Sequence, residues 1–169
     1  VARPTIGVVT AVAAAHTERV GDIAGVARAK AELVQALPQS GYAILNADDE
    51  RVREMRMSTQ AQVLTYGHHE SADIRITKCD LDEMARASVV VATPWGQVSW
   101  AMSVPGAHMA LNAAAAIAVS GVCGVDVHLA AAALEHSAVS PMRMQVITTD
   151  DGMTVINDAY NANPTSMRA

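Results

Sequence analysis

A continuous apolar run at Thr5–Thr10 (Thr-Ile-Gly-Val-Val-Thr), an amphipathic segment, and a second apolar run at Tyr42–Leu45 constrain the fold of this chain most. Uninterrupted apolar runs suit strands buried on both faces of a parallel sheet, and two parallel neighbours need a crossover between them. The crossover is a helix. Asp22 is a good N-cap, and Ile23, Val26, Ala27, Leu33, Val34 and Leu37 recur at helical spacing before Pro38 and Gly41 end the segment. This β-loop-α-β order predicts an α/β fold. Lys30 falls within the apolar stripe, whereas Arg28, Glu32 and Gln35 fall on the opposite face. A lysine aimed at a core is neutralised, paired or chemically changed, unless it snorkels to the surface along its stem. Spacing leaves both readings open.

Asn46-Ala47-Asp48-Asp49 follows the second strand at its carboxyl end, where open α/β sheets place ligands. The same residues also suit an N-cap for a helix over Glu50–Met57. Ala61–Tyr66 reads as a further strand ending at Gly67, and His68-His69-Glu70 as a solvated loop, since adjacent side chains diverge too far to share a metal. Asp73–Leu81, Ser88–Thr93 and Val98–Val104, with turn chemistry at Pro94-Trp95-Gly96-Gln97, predict an antiparallel meander attached to the parallel sheet. Trp95 and Trp100 are expected to cover hydrophobic surface.

From Met109 to Val119 a helix is apolar or small on every side except at Asn112, which predicts deep burial. A buried Asn112 needs partners for both ends of its carboxamide. A neighbouring backbone could supply them, or an adenine, which one carboxamide pairs bidentately. Asp126 N-caps a further helix through Glu135, with His128 outward. Val139–Arg143 reads as a solvated connection, and Met144–Thr149 with Met153–Asn157 as a hairpin across Asp150-Asp151-Gly152. Asn163 as N-cap and Pro164 at the first helical position open a new helix, so a second domain begins near the end of the chain.

Composition narrows the function classes. Half of the 169 residues are hydrophobic but none is Phe, so the core must be built from Ala, Val, Leu, Ile and Met. A net charge of −5 with no basic run argues against a nucleic-acid surface. Cys79 and Cys123 stand alone, which argues against a zinc site or a disulfide framework and fits a reducing cytoplasm. No apolar run is long enough to insert into a membrane without a polar break. The chain opens almost directly on a strand without an initiator Met, as if cut from something longer.

Asp158-Ala159-Tyr160-Asn161-Ala162-Asn163-Pro164-Thr165-Ser166-Met167 closely resembles the DxYNANPxSM signature of the Mur ligases that add D-alanyl-D-alanine. Ala15-His16-Thr17-Glu18 and Ala29-Lys30-Ala31-Glu32-Leu33 resemble that family's AHxE and AKxE elements, and Asn46-Ala47-Asp48-Asp49 and Gly106-x-His108-x-x-x-Asn112-Ala113 follow in the family's order. Ala107 and Met109 replace the Arg and Asn of the commoner GRHN form.

The resemblance implies a mostly parallel sheet flanked by helices with an antiparallel meander, followed by the start of an α/β C-terminal domain. Residues 1–140 would be the later part of the central ATP-binding domain and 141–169 the beginning of the C-terminal ligase domain. It implies ATP and Mg2+ as cofactors, with UDP-N-acetylmuramoyl-tripeptide and D-alanyl-D-alanine as substrates of a monomeric cytoplasmic enzyme. Lys30, as a carbamate, and His16 would ligate magnesium; Arg143 would face the phosphates; Asn112 would read adenine; Asp158, with Asn161 beside it, would contact the nucleotide. No GxxGK[ST] phosphate loop occurs within the 169 residues, and in this family it lies upstream. The chain alone is therefore expected to be inactive. Another Mur or folylpolyglutamate-synthase-like ligase, or a non-catalytic nucleotide-binding module, is the alternative.

Overall fold

The two apolar runs form neighbouring parallel strands, β1 (Ile6–Val9) and β2 (Tyr42–Asn46), in a computed structural model that describes residues 3–13, 22–136 and 140–161. Asp22 caps the crossover helix α1 (Ile23–Gln35) by accepting from the Gly25 amide at 2.7 Å. A third parallel strand, β3 (Gln62–Gly67), pairs with β2 along its length. Between β2 and β3 lie the short α2 (Glu50–Glu54) and one 3-10 turn, Met55–Ser58.

Alternation along β2 divides the core. Ala43 and Leu45 face α1 and α2 with Val9, Val26, Val34, Leu37, Val52 and Met55; Ile44 faces the opposite cluster. β1 ends the sheet, and its Ile6 and Val8 are only half-buried on that second face.

The meander joins by a short overlap. Parallel neighbours usually need a crossover of a dozen residues, yet only six separate β3 from β4 (Ile74–Leu81). The chain steps back just far enough to pair Tyr66 with Ile74 and Gly67 with Arg75, and β4 then runs on past the end of β3. Asp73 closes this step by accepting from the Thr65 hydroxyl at 2.6 Å and the Thr65 amide at 2.8 Å. β5 (Arg86–Thr93) and β6 (Gly96–Pro105) complete the expected antiparallel meander.

α3 (His108–Val122) and α4 (Val127–Glu135) cover the meander side of the sheet. Trp100 is buried there, while half-exposed Trp95 lies across α3 at Gly121, so both tryptophans cover apolar surface as expected. The predicted hairpin is β7 (Gln145–Thr148) with β8 (Thr154–Asn157). No helix among the described residues is long and apolar enough to cross a membrane. The helix expected from Asn163 lies outside the described residues.

Candidate active site

The carboxyl ends of β1, β2 and β3 are knitted together by the acidic turn after β2. Asn46 donates to the Thr10 carbonyl at 2.7 Å and accepts from the Asp48 amide at 2.9 Å. Asp49 N-caps α2, accepting from the Arg51 amide at 3.0 Å, while its second oxygen takes the Val12 amide at 2.7 Å. Asp48 accepts from the His68 and His69 amides at 2.9 and 2.8 Å. Of the two readings open for this turn, the structural one describes Asp49. Both carboxylates are committed to backbone N–H groups.

Gly67 makes this geometry possible. Its φ of 144° suits glycine alone, and a Cβ there would lie 2.6 Å from Asp48 Oδ1. Tyr66, buried just before it, has its phenol pushed up to about 12 by desolvation first and by the nearby Asp48 charge second. His68, His69 and Glu70 are exposed, as expected of a solvated loop.

Of the two readings left open for Lys30, the structure shows the amine at the surface. It is exposed, and its Nζ donates to the Ala11 carbonyl at 2.6 Å, just beyond β1. The helical stripe gave the right direction, towards β1, but nothing among the described residues closes over the amine. An ammonium has three donors, so this one contact leaves the group able to meet a ligand at the strand ends.

Asn112 corrects a second expectation. It is exposed rather than buried, as is Ala116 one turn on, so α3 keeps one open face. Among the described residues the carboxamide donates to the Met109 thioether alone, at 3.7 Å. Near the start of the same helix, His108 Nδ1 is buried without a hydrogen-bond partner.

Arg143, Asp158 and Tyr160 come together at the base of the hairpin. The Arg143 guanidinium carbon lies 4.1 Å from the centroid of the Tyr160 ring. Asp158 accepts from the Met144 amide at 3.1 Å, and the Tyr160 amide donates to the Met142 carbonyl at 3.0 Å. Asn161 is exposed at the end of this segment. The connection around Arg143 is thus a shaped turn. Sequence spacing gave no hint of Tyr160 as its partner.

The fit to magnesium rests on few donors. Among the described residues no group of three or more His, Cys, Asp or Glu is placed to hold a metal ion. Asp48 and Asp49 already accept backbone amides on both of their oxygens. Lys30 fits only after conversion to an oxygen donor, since a hard dication takes oxygen ligands. His16 lies outside the described residues.

Residues 1–120 match the Mur ligase middle domain. The chain is 44% identical over 170 residues to the UDP-N-acetylmuramoyl-tripeptide–D-alanyl-D-alanine ligase of Mycobacterium tuberculosis, covering 100% of this chain and 33% of that protein. The crystal structure of MurF from Acinetobacter baumannii superposes with a TM-score of 0.90 at 30% identity, over 99% of this chain and 36% of that one. MurF from Thermotoga maritima, solved in complex with ADP, shares the fold with a TM-score of 0.84 at 22% identity, over 99% and 38%. The chain spans about a third of the length of the relatives it matches.

Proposed function

The chain belongs to the Mur ligase family, and we propose that it is part of an ATP-dependent ligase that joins D-alanyl-D-alanine to UDP-N-acetylmuramoyl-tripeptide. The observation that carries this reading is 44% identity along the whole chain to a ligase of that name. Residues 1–140 are then the later part of the central ATP-binding domain, and 141–169 the start of the C-terminal domain. Among the described residues β1 ends the sheet with a half-open face, which suits a further strand and helix that would carry the phosphate loop.

The reaction has two balanced steps. A carboxylate oxygen of the tripeptide attacks the γ-phosphorus of ATP, forming an acyl phosphate as ADP leaves. The D-alanyl-D-alanine amine then attacks the acyl carbon; phosphate departs and the amine proton goes to solvent or a base. Both steps build negative charge on phosphate oxygens, which magnesium would offset when bound. Lys30, as a carbamate, and His16 are the residues of this chain that would hold it. Arg143 brings a permanent cation to the same charge, and its planar fork suits phosphate. The outward carboxamide of Asn112 would pair with adenine. Asp158 keeps a second oxygen for the nucleotide, and Asn161 stands beside it.

The test uses the full-length parent protein. ADP should form only with ATP, magnesium, UDP-N-acetylmuramoyl-tripeptide and D-alanyl-D-alanine together, and the product should carry the dipeptide. Lys30→Ala should abolish turnover with little change in melting temperature, and a short carboxylate should restore part of it. Equal turnover with L-alanine or D-glutamate as the amine would overturn the substrate assignment.

A further inference from the structure

Arg143 sits between two residues in a conformation that L side chains rarely adopt. Met142 has φ 61° and Met144 φ 48°, and neither is Gly, Asn or Asp. Such strain persists only where the surroundings over-determine it. The Arg143 amide donates to the Ser140 carbonyl and the Met142 amide to Gln145 Oε1, both at 3.2 Å, and two further hydrogen bonds come from one short segment after β8. Tyr160 N–H holds the Met142 carbonyl on one side of Arg143, and Asp158 Oδ1 holds the Met144 amide on the other. The Tyr160 ring supports the guanidinium itself, 4.1 Å from its centroid. This segment therefore holds the backbone on both sides of the arginine and its side chain as well.

We propose that Tyr160 is a positioning residue for Arg143: its ring and its amide, with the Asp158 carboxylate, clamp the strained Met142–Met144 turn so that the guanidinium is presented ready-oriented to phosphate. This rests on the proposed ligase reading and adds to it a role for Tyr160 that acts through Arg143. An exposed arginine otherwise samples many rotamers, and ordering it during the reaction would cost rate. The aromatic face restricts it beforehand without consuming the N–H donors that a phosphate would take. A phenyl ring would serve as well as a phenol, because the contact is to the face.

The experiment is a double-variant cycle on the full-length parent enzyme, reading kcat and the KM for tripeptide. Wild-type turnover with all substrates is measured first; its absence would fail the ligase reading, and the positioning role with it. With turnover present, Tyr160→Phe should keep kcat within about twofold. Tyr160→Leu should lower kcat about fivefold to thirtyfold, the scale of a cation–π contact in a closing site, with KM for tripeptide unchanged. In an Arg143→Ala background, Tyr160→Leu should cost nothing further. An equal loss in both backgrounds, or no loss in either, would overturn the role of Tyr160 while leaving the ligase reading intact. An Arg143→Ala enzyme with wild-type kcat would overturn it too. If Tyr160→Leu does not fold, Tyr160→Met takes its place in the cycle and is read by the same outcomes.

Discussion

Gly67→Ala should be among the most damaging single-methyl changes in this protein. Gly67 carries φ 144°, in a region essentially reserved for glycine, so an alanine there stores about 1–3 kcal/mol of backbone strain. The added Cβ would lie 2.6 Å from Asp48 Oδ1 and 2.8 Å from its Cγ, too close for any real contact. Asp48 cannot yield freely, because it accepts from both the His68 and His69 amides. Weakening those charged hydrogen bonds adds roughly 1.5–3 kcal/mol. The total, about 2.5–6 kcal/mol, is a large fraction of a typical domain stability of about 5–15 kcal/mol. Urea denaturation of the variant measures it directly. Gly152→Ala is the control: φ is 83° there, but nothing lies within 4 Å of the added methyl, so only about 1 kcal/mol of backbone strain is expected. Asp48→Ala combined with Gly67→Ala should fall short of additivity, by about 1–2 kcal/mol, since the clash then has no partner. A Gly67→Ala protein no less stable than Gly152→Ala would refute the steric argument.

Gly121→Ala gains about 1 kcal/mol of helix propensity but places a methyl 2.1 Å from Trp95 Cζ3. The ring must therefore leave α3, giving a net loss of about 1–2 kcal/mol and red-shifted tryptophan emission; in a Trp95→Ala background the same change should stabilise. Tyr66 is neutral in the fold up to about 12 but ionises near its ordinary value of 10 when unfolded. The unfolded state thus loses its proton first, and about 2–3 kcal/mol of stability should disappear as pH rises from about 10 to 12; Tyr66→Phe should flatten that part of the denaturation profile. Asn112→Ala should weaken ATP binding by the parent enzyme by about 1–3 kcal/mol without lowering its melting temperature, because the carboxamide is exposed; unchanged affinity in calorimetry would remove its adenine role.

Much of the fold was legible because it follows from short-range rules. Unbroken apolar runs marked β1 and β2, Asp22, Asp49 and Asp126 marked helix starts, and alternation with Gly and Pro marked the meander. Burial was less legible. The helical stripe aimed Lys30 correctly towards β1, yet periodicity says nothing of what lies over a helix, and the amine is exposed. Asn112 misled for another reason: alanine is as suited to an exposed helix face as to a core, so an Ala-rich helix is no proof of burial. The turn around Arg143 had no local signal at all, since two methionines give no hint of positive φ and their clamp comes from Asp158 and Tyr160. Only the family motif made Arg143 stand out.

The same partition bears on where the negative charge for magnesium would arise in the proposed ligase. Asp48 and Asp49 lie at the strand ends, but their oxygens hold amides from residues 2 to 37 positions away. Turning either towards a cation would release the loop after β1 or the step after β3, so the price of a metal ligand there would be the geometry of the site. Among the described residues Lys30 makes one hydrogen bond, to the Ala11 carbonyl. Conversion of its amine to a carbamate would remove a cation and add an anionic oxygen donor at the end of β1, without disturbing the hydrogen bonds of Asp48 and Asp49. A fixed acidic turn and an adaptable lysine are therefore complementary. The turn holds the three strand ends in register, and in the proposed ligase the lysine would be the group that changes its chemistry.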